Sequence, residues 1–130
     1  MIVEFVVVNA LIALATVVMP FVTAIQARNG ARPNNFLGLR TEHTRKSPEA
    51  WQAGHRAALP PIRIGFLAAF AIALGGVASA VYGWQGMSMW LAMGSALVAM
   101  IATGFGIAQA NPAAQAAEEA RTAAGEDPQS

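Results

Sequence analysis

Residues 64–117 read IGFLAAFAIALGGVASAVYGWQGMSMWLAMGSALVAMIATGFGIAQANPAAQAA, with no Asp, Glu, Lys or Arg anywhere in the run. A bilayer core is about 30 Å thick and takes about 20 helical residues to cross. The run is too long for one crossing and suits two. The divider is Gly83-Trp84-Gln85-Gly86-Met87-Ser88, where two glycines permit a tight turn. Tyr82, Trp84 and Trp90 cluster there, and amphipathic aromatics favour the membrane–water interface. This predicts transmembrane helices over 62–82 and 89–109, joined by an external turn at 83–88. Asn111-Pro112 is expected to end the second of these helices. The remaining 110–130 is an Ala-rich acidic tail, helical where it carries Ala, Glu and Arg and disordered from Gly125 onward.

Toward the N-terminus, Phe5 to Ala27 is also free of charge, so residues 1–27 are expected to form a first crossing. A secretory signal would begin on a base and carry a shorter apolar core. Here the start is Met-Ile-Val-Glu-Phe and the apolar run is long, so no cleavage is expected. The composition agrees: 55% of residues are hydrophobic and 12% charged, against about 25% charged in soluble domains. The absence of cysteine excludes disulfides, thiol catalysis and thiolate metal sites. The fold class expected is therefore an all-α integral membrane protein of three transmembrane helices.

Seven of the eight Lys and Arg residues lie between Arg28 and Arg63: Arg28, Arg32, Arg40, Arg45, Lys46, Arg56 and Arg63. Short loops rich in these residues stay in the cytoplasm. The chain is thus expected in the plasma (inner) membrane with its N-terminus and the aromatic turn outside, and with the basic loop 28–61 and the C-terminus inside. Within the loop, Asn29-Gly30 and Pro33-Asn34-Asn35 are turn signals. Ser47-Pro48-Glu49 is a helix start, with a Ser cap, Pro at the first position and an acid in the first turn. A short helix over about 48–59 should follow, stopped by Pro60-Pro61. Trp51, His55, Ala58 and Leu59 share one face of it. That face suits either contact with the membrane surface or packing beneath the spans.

Helices in lipid associate at small residues and through polar contacts. Gly65, Ala69, Ala73, Gly76 and Ala80 offer such a face in the second span, and Ser95, Ala99, Thr103, Gly104 and Gly106 in the third. In the first, Asn9, Thr16 and Thr23 are seven apart and share a face. The interiors of these spans carry no ionisable group, Glu4 lying at the outer boundary, so helix–helix hydrogen bonding is the expected use of that stripe rather than a solute path. Gly38-Leu39-Arg40-Thr41 and Thr44-Arg45-Lys46 pair bases with hydroxyls. They suit either an anion or headgroup site or a purely topological, non-specific attraction to anionic membrane lipid. His43 and His55, with Glu42 and Glu49 nearby, match no compact metal-ligand spacing, and no metal or other cofactor is expected. No glycine-rich phosphate loop or nucleophile elbow occurs. Nucleic acid is not an expected partner, since the loop is tethered at both ends and holds a single Trp.

The stretch Asn35-Phe36-Leu37-Gly38-Leu39-Arg40-Thr41-Glu42-His43-Thr44-Arg45-Lys46-Ser47-Pro48-Glu49-Ala50-Trp51-Gln52-Ala53-Gly54-His55-Arg56 resembles the signature of the SdpI family, here in a short three-span form. That family takes its name from an immunity protein against a secreted peptide toxin. The matching positions are Asn35, Gly38, Arg40, Thr41, Thr44, Ser47, Trp51 and His55, which the resemblance implies as ligand- or partner-binding residues. It also implies a non-enzymatic membrane protein acting in immunity to membrane-active peptides, or in signalling through the loop with a cytoplasmic regulator. The alternative is an accessory subunit of a larger cell-envelope complex, or a homo-oligomer, joined through the small-residue faces and the Ala-rich tail.

Overall fold

In the computed structural model the described residues are 2–34 and 38–125. They form three helices and no strand: α1 (Ile2–Gln26), α2 (Pro48–Val81) and α3 (Gln85–Ala123), with a single 3-10 turn at Thr44–Lys46. Each helix is long and apolar enough to cross a membrane. This is a multi-pass membrane protein. α2 is the central helix; α1 and α3 both pack on it and touch each other less.

Helix lengths position the loop. α1 has 25 residues, α2 34 and α3 39. At 1.5 Å per residue these measure about 37, 51 and 58 Å against a core of about 30 Å. α2 and α3 meet in a tight turn at 82–84, where Trp84 N–H donates to Ser79 O at 2.8 Å. Their excess length therefore emerges at the other end, beside the loop.

Three expected boundaries are corrected. The short helix over 48–59 and the span over 62–82 are one helix, continuous through Pro60-Pro61. Likewise α3 runs through Asn111-Pro112 to Ala123, so the tail extends the third span. A proline inside a helix removes one N–H and crowds the carbonyl four residues back, here those of Arg56, Ala57 and Ala108. Packing on both sides of each proline holds the helix: Ala58, Ile62, Ala110 and Ala114 are all fully buried. The connection between α2 and α3 is also shorter than 83–88, because Gln85 to Ser88 already form the first turn of α3.

The small-residue face of α2 packs as expected, with Ala69, Ala73, Gly76 and Ala80 buried. On α3 the buried face is Ser88, Ala92, Ser95, Ala102 and Gly106, whereas Gly104 faces outward. Asn9, Thr16 and Thr23 of α1 are buried. Thr16 and Thr23 bond within their own helix, to Ala13 O and Met19 O. Asn9 ties all three helices together. Its Nδ2 donates to Ser88 Oγ at 3.0 Å, and that hydroxyl donates to Gly76 O at 2.9 Å. Asn9 Oδ1 stands where a Cβ on Gly76 would be, so glycine is required there. The apolar core lies nearer the loop, where Leu39, Ala58, Ile62, Phe66, Ala102 and Ala110 meet.

Candidate functional site

The loop closes over the protruding ends of α2 and α3, and its first anchor is the N-terminus of α2. Ser47 is extended and cannot continue the 3-10 turn, so its side chain caps the helix, accepting Ala50 N–H at 3.1 Å. The cap also faces α3: Ser47 Oγ donates to Glu118 Oε2 at 2.6 Å. Glu118 is held in turn by Arg121 at 2.8 Å, and Arg121, only 6% exposed, stands 3.8 Å from Glu49. The Arg121 guanidinium, and after it the Ser47 hydroxyl, keep the Glu118 carboxyl below the usual carboxylate range.

One turn into α2, Trp51 and His55 form the centre of the site. Both are fully buried, with ring centroids 4.4 Å apart. Trp51 Nε1–H donates to Gln26 Oε1 at 2.8 Å, joining the loop helix to the last residue of α1. His55 Nε2 accepts Leu39 N–H at 2.8 Å, and its Nδ1 lies 2.7 Å from Trp51 O. A backbone N–H can only donate, so Nε2 carries no proton and Nδ1–H donates to Trp51 O. The imidazole is neutral. Desolvation keeps its pKa below the ordinary value, and the bond to Trp51 O opposes this only in part. His55 precedes the uncharged stretch that begins at Ile64.

Gly38 passes over this pair with φ +94°, a left-handed conformation that L side chains rarely adopt. A Cβ there would stand 2.6 Å from His55 Nε2 and 3.2 Å from Trp51 Cζ2. Beyond it the chain turns around Thr44, fully buried, whose Oγ1 donates to Leu39 O at 2.7 Å and accepts Thr41 N–H at 3.0 Å. Thr41 Oγ1 donates to Asn111 Oδ1 of α3 at 2.7 Å. Gly54 lets Thr44 close on α2, since a Cβ at Gly54 would stand 2.7 Å from Thr44 Cγ2. On the α1 side, Gln52 Nε2 donates to Ala31 O at 2.8 Å, and Arg56 to Ala27 O at 3.0 Å and to Asn29 Oδ1.

The structure thus brings together Gly38, Thr41, Thr44, Ser47, Trp51 and His55, the signature positions named above. Arg40 is exposed on the outer side of the loop, and Asn35 lies outside the described residues, as do Glu126–Ser130, the part of the tail expected to be disordered. Trp51 packs beneath the spans rather than against the membrane. Its partner Gln26, and Asn111, Glu118 and Arg121 on α3, are site residues that sequence reasoning passed over. Gln26 offered one signal, as the last polar side chain of the uncharged run before the basic loop begins at Arg28. The Glu118/Arg121 pair offered another, an i,i+3 ion pair in a region otherwise rich in alanine.

Chemically, Thr41, Thr44, Ser47, Trp51 and His55 spend their hydrogen-bonding capacity on one another, on the loop backbone and on the helix ends. His55 is sealed from solvent. His43 Nδ1 is buried without a partner among the described residues. No three His, Cys, Asp or Glu side chains gather into a metal-holding group among those residues. The outer surface of the turn is polar and carries Glu42, Arg45 and Lys46 around a shallow depression of about 400 Å³.

This architecture defines a class: a three-span helical membrane protein whose first loop is a folded unit seated on the protruding helix ends. The family model of the SdpI/YfhL protein family matches residues 31–106, more than half of the chain, and the chain belongs to that family. The match takes in the loop, α2 and most of the apolar part of α3, and leaves out α1 with Gln26 and the α3 extension with Asn111, Glu118 and Arg121. No curated protein and no solved structure matches the chain.

Proposed function

We propose that this chain is a non-enzymatic SdpI-type protein of the plasma membrane that confers immunity to membrane-active peptide toxins through a rigid cytoplasmic loop. One observation carries the reading. Six signature positions, Gly38, Thr41, Thr44, Ser47, Trp51 and His55, fold inward, and a fixed surface bearing the seventh, Arg40, with Glu42, Arg45 and Lys46 faces outward. An enzyme needs its acid–base groups at an open cleft, whereas His55 is enclosed. A recognition surface needs a preorganised backbone, which the bonds around Thr44 and His55 supply. A cytoplasmic regulator held by the same surface is the signalling form of this reading.

Expression in a host sensitive to membrane-active peptides is expected to raise the inhibitory concentration of at least one peptide in a broad panel. Arg40→Gln combined with Arg45→Gln should remove that protection at unchanged protein level. Unaltered sensitivity across the panel counts against immunity and leaves the regulator to be sought by cross-linking from the loop. Orientation is tested separately, because the chain has no cysteine of its own. A Glu42→Cys variant should react with a membrane-impermeant maleimide only after permeabilisation, and labelling in intact cells would place the loop outside.

A further inference from the structure

We propose that the groove between α1 and α2 at Arg63 is a binding site for one anionic phospholipid. The proposal needs only the membrane-spanning fold and is independent of the toxin reading. The groove measures about 420 Å³, with Val17 and Pro20 on the α1 side and Arg63, Phe66, Leu67 and Phe70 on the α2 side. Thr16 also borders it, but its hydroxyl donates to Ala13 O at 2.6 Å and is used within α1. The walls are therefore apolar apart from one guanidinium.

Depth places that guanidinium where a lipid phosphate lies. α2 turns back at Tyr82, and about 20 residues span the hydrocarbon core, so the core boundary falls at Ile62–Arg63. Helical side chains lean toward the helix N-terminus, which directs Arg63 to the loop side of the boundary. Phe66, Leu67 and Phe70 follow at helical spacing and line the groove deeper in the membrane, at acyl-chain level. Arg56, two turns nearer the loop, is engaged by Ala27 O and Asn29. Arg63 is exposed and makes no hydrogen bond or ion pair among the described residues. A lone cation at the mouth of an apolar groove selects an anionic headgroup joined to an acyl chain. A zwitterionic lipid fills the groove equally well but brings its own cation.

The test uses the full chain in mild detergent, with equimolar phosphatidylglycerol and phosphatidylcholine and bound lipid read by native mass spectrometry. Phosphatidylglycerol should be retained about fivefold over phosphatidylcholine, the factor equivalent to about 1 kcal/mol for one basic side chain. Arg63→Gln should abolish that preference, Arg63→Lys should keep it, and Arg32→Gln, at an exposed loop base outside the groove lining, should leave it unchanged. Val17→Trp, which fills the groove, should lower retention of both lipids. Inorganic phosphate in millimolar excess should not displace the lipid; displacement would mean that a free anion alone is bound and would overturn the proposal. Equal retention of the two lipids, an unchanged preference in Arg63→Gln, or a lipid-free dimer covering the groove would also overturn it. If Arg63→Gln fails to fold, loss of preference in Val17→Trp with retention in Arg63→Lys decides the matter.

Discussion

Replacing Gly38 by alanine sets two penalties at one position. The left-handed backbone costs an L residue about 1–2 kcal/mol, and the new Cβ would press on His55 Nε2 at 2.6 Å. We expect the variant to lose at least about 2 kcal/mol of loop stability, seen as loss of Trp51 fluorescence protection from quencher in a Trp84→Phe, Trp90→Phe background. An unchanged quenching curve would mean that the loop does not need the close pass over His55. His55 also sets a pH dependence. Its folded-state pKa lies below the unfolded value of about 6.5, so unfolding takes up a proton when the medium is acidic. Its stabilising contribution is complete above pH 6.5 and is lost as pH falls toward the folded-state value. The same fluorescence measurement, run from pH 7.5 to 5, should show the loop loosening. His55→Gln should flatten that profile, and a profile of unchanged steepness would assign the transition to another group.

At the scale of elements, the prolines separate what the sequence shows from what the fold adds. The three apolar runs, the polar stripe of α1 and the Ser47 cap are local patterns and were legible as such. Pro60-Pro61 and Asn111-Pro112 read as stops by local rules, yet Ala58, Ile62, Ala110 and Ala114 are buried beside them and carry the helices through. Such tertiary contacts have no local signature. The same is true of the site: the signature residues were recognisable, but their use as internal fastenings depends on Gln26, Asn111 and Glu118, far away in sequence. Because packing rather than proline fixes the path of α2, Pro61→Ala should keep the helix and restore one N–H donor to Ala57 O. Proline in a helix interior costs up to about 3 kcal/mol relative to alanine. We expect a higher unfolding temperature in detergent; a lower one would show that the proline shape itself is needed at the junction of loop helix and span.

Across the whole molecule, the loop is held by the far end of the chain. Thr41 bonds Asn111, and Ser47 bonds Glu118, which Arg121 braces. Hydrogen bonds to charged groups contribute about 1.5–3 kcal/mol each. Removing residues 111–130 should therefore raise the rate of tryptic cleavage at Arg40, Arg45 or Lys46 at least about tenfold in membranes, with the spans left intact. Equal cleavage rates would mean that the α1 and α2 contacts hold the loop unaided. The sequence separations, 70 residues for Thr41–Asn111 and 71 for Ser47–Glu118, also have a meaning in time. A ribosome adds about 5–20 residues per second, so Thr41 and Ser47 are added roughly 4–14 s before their partners. Through that interval the nascent loop waits unlatched, and only the arrival of the last helix can close it.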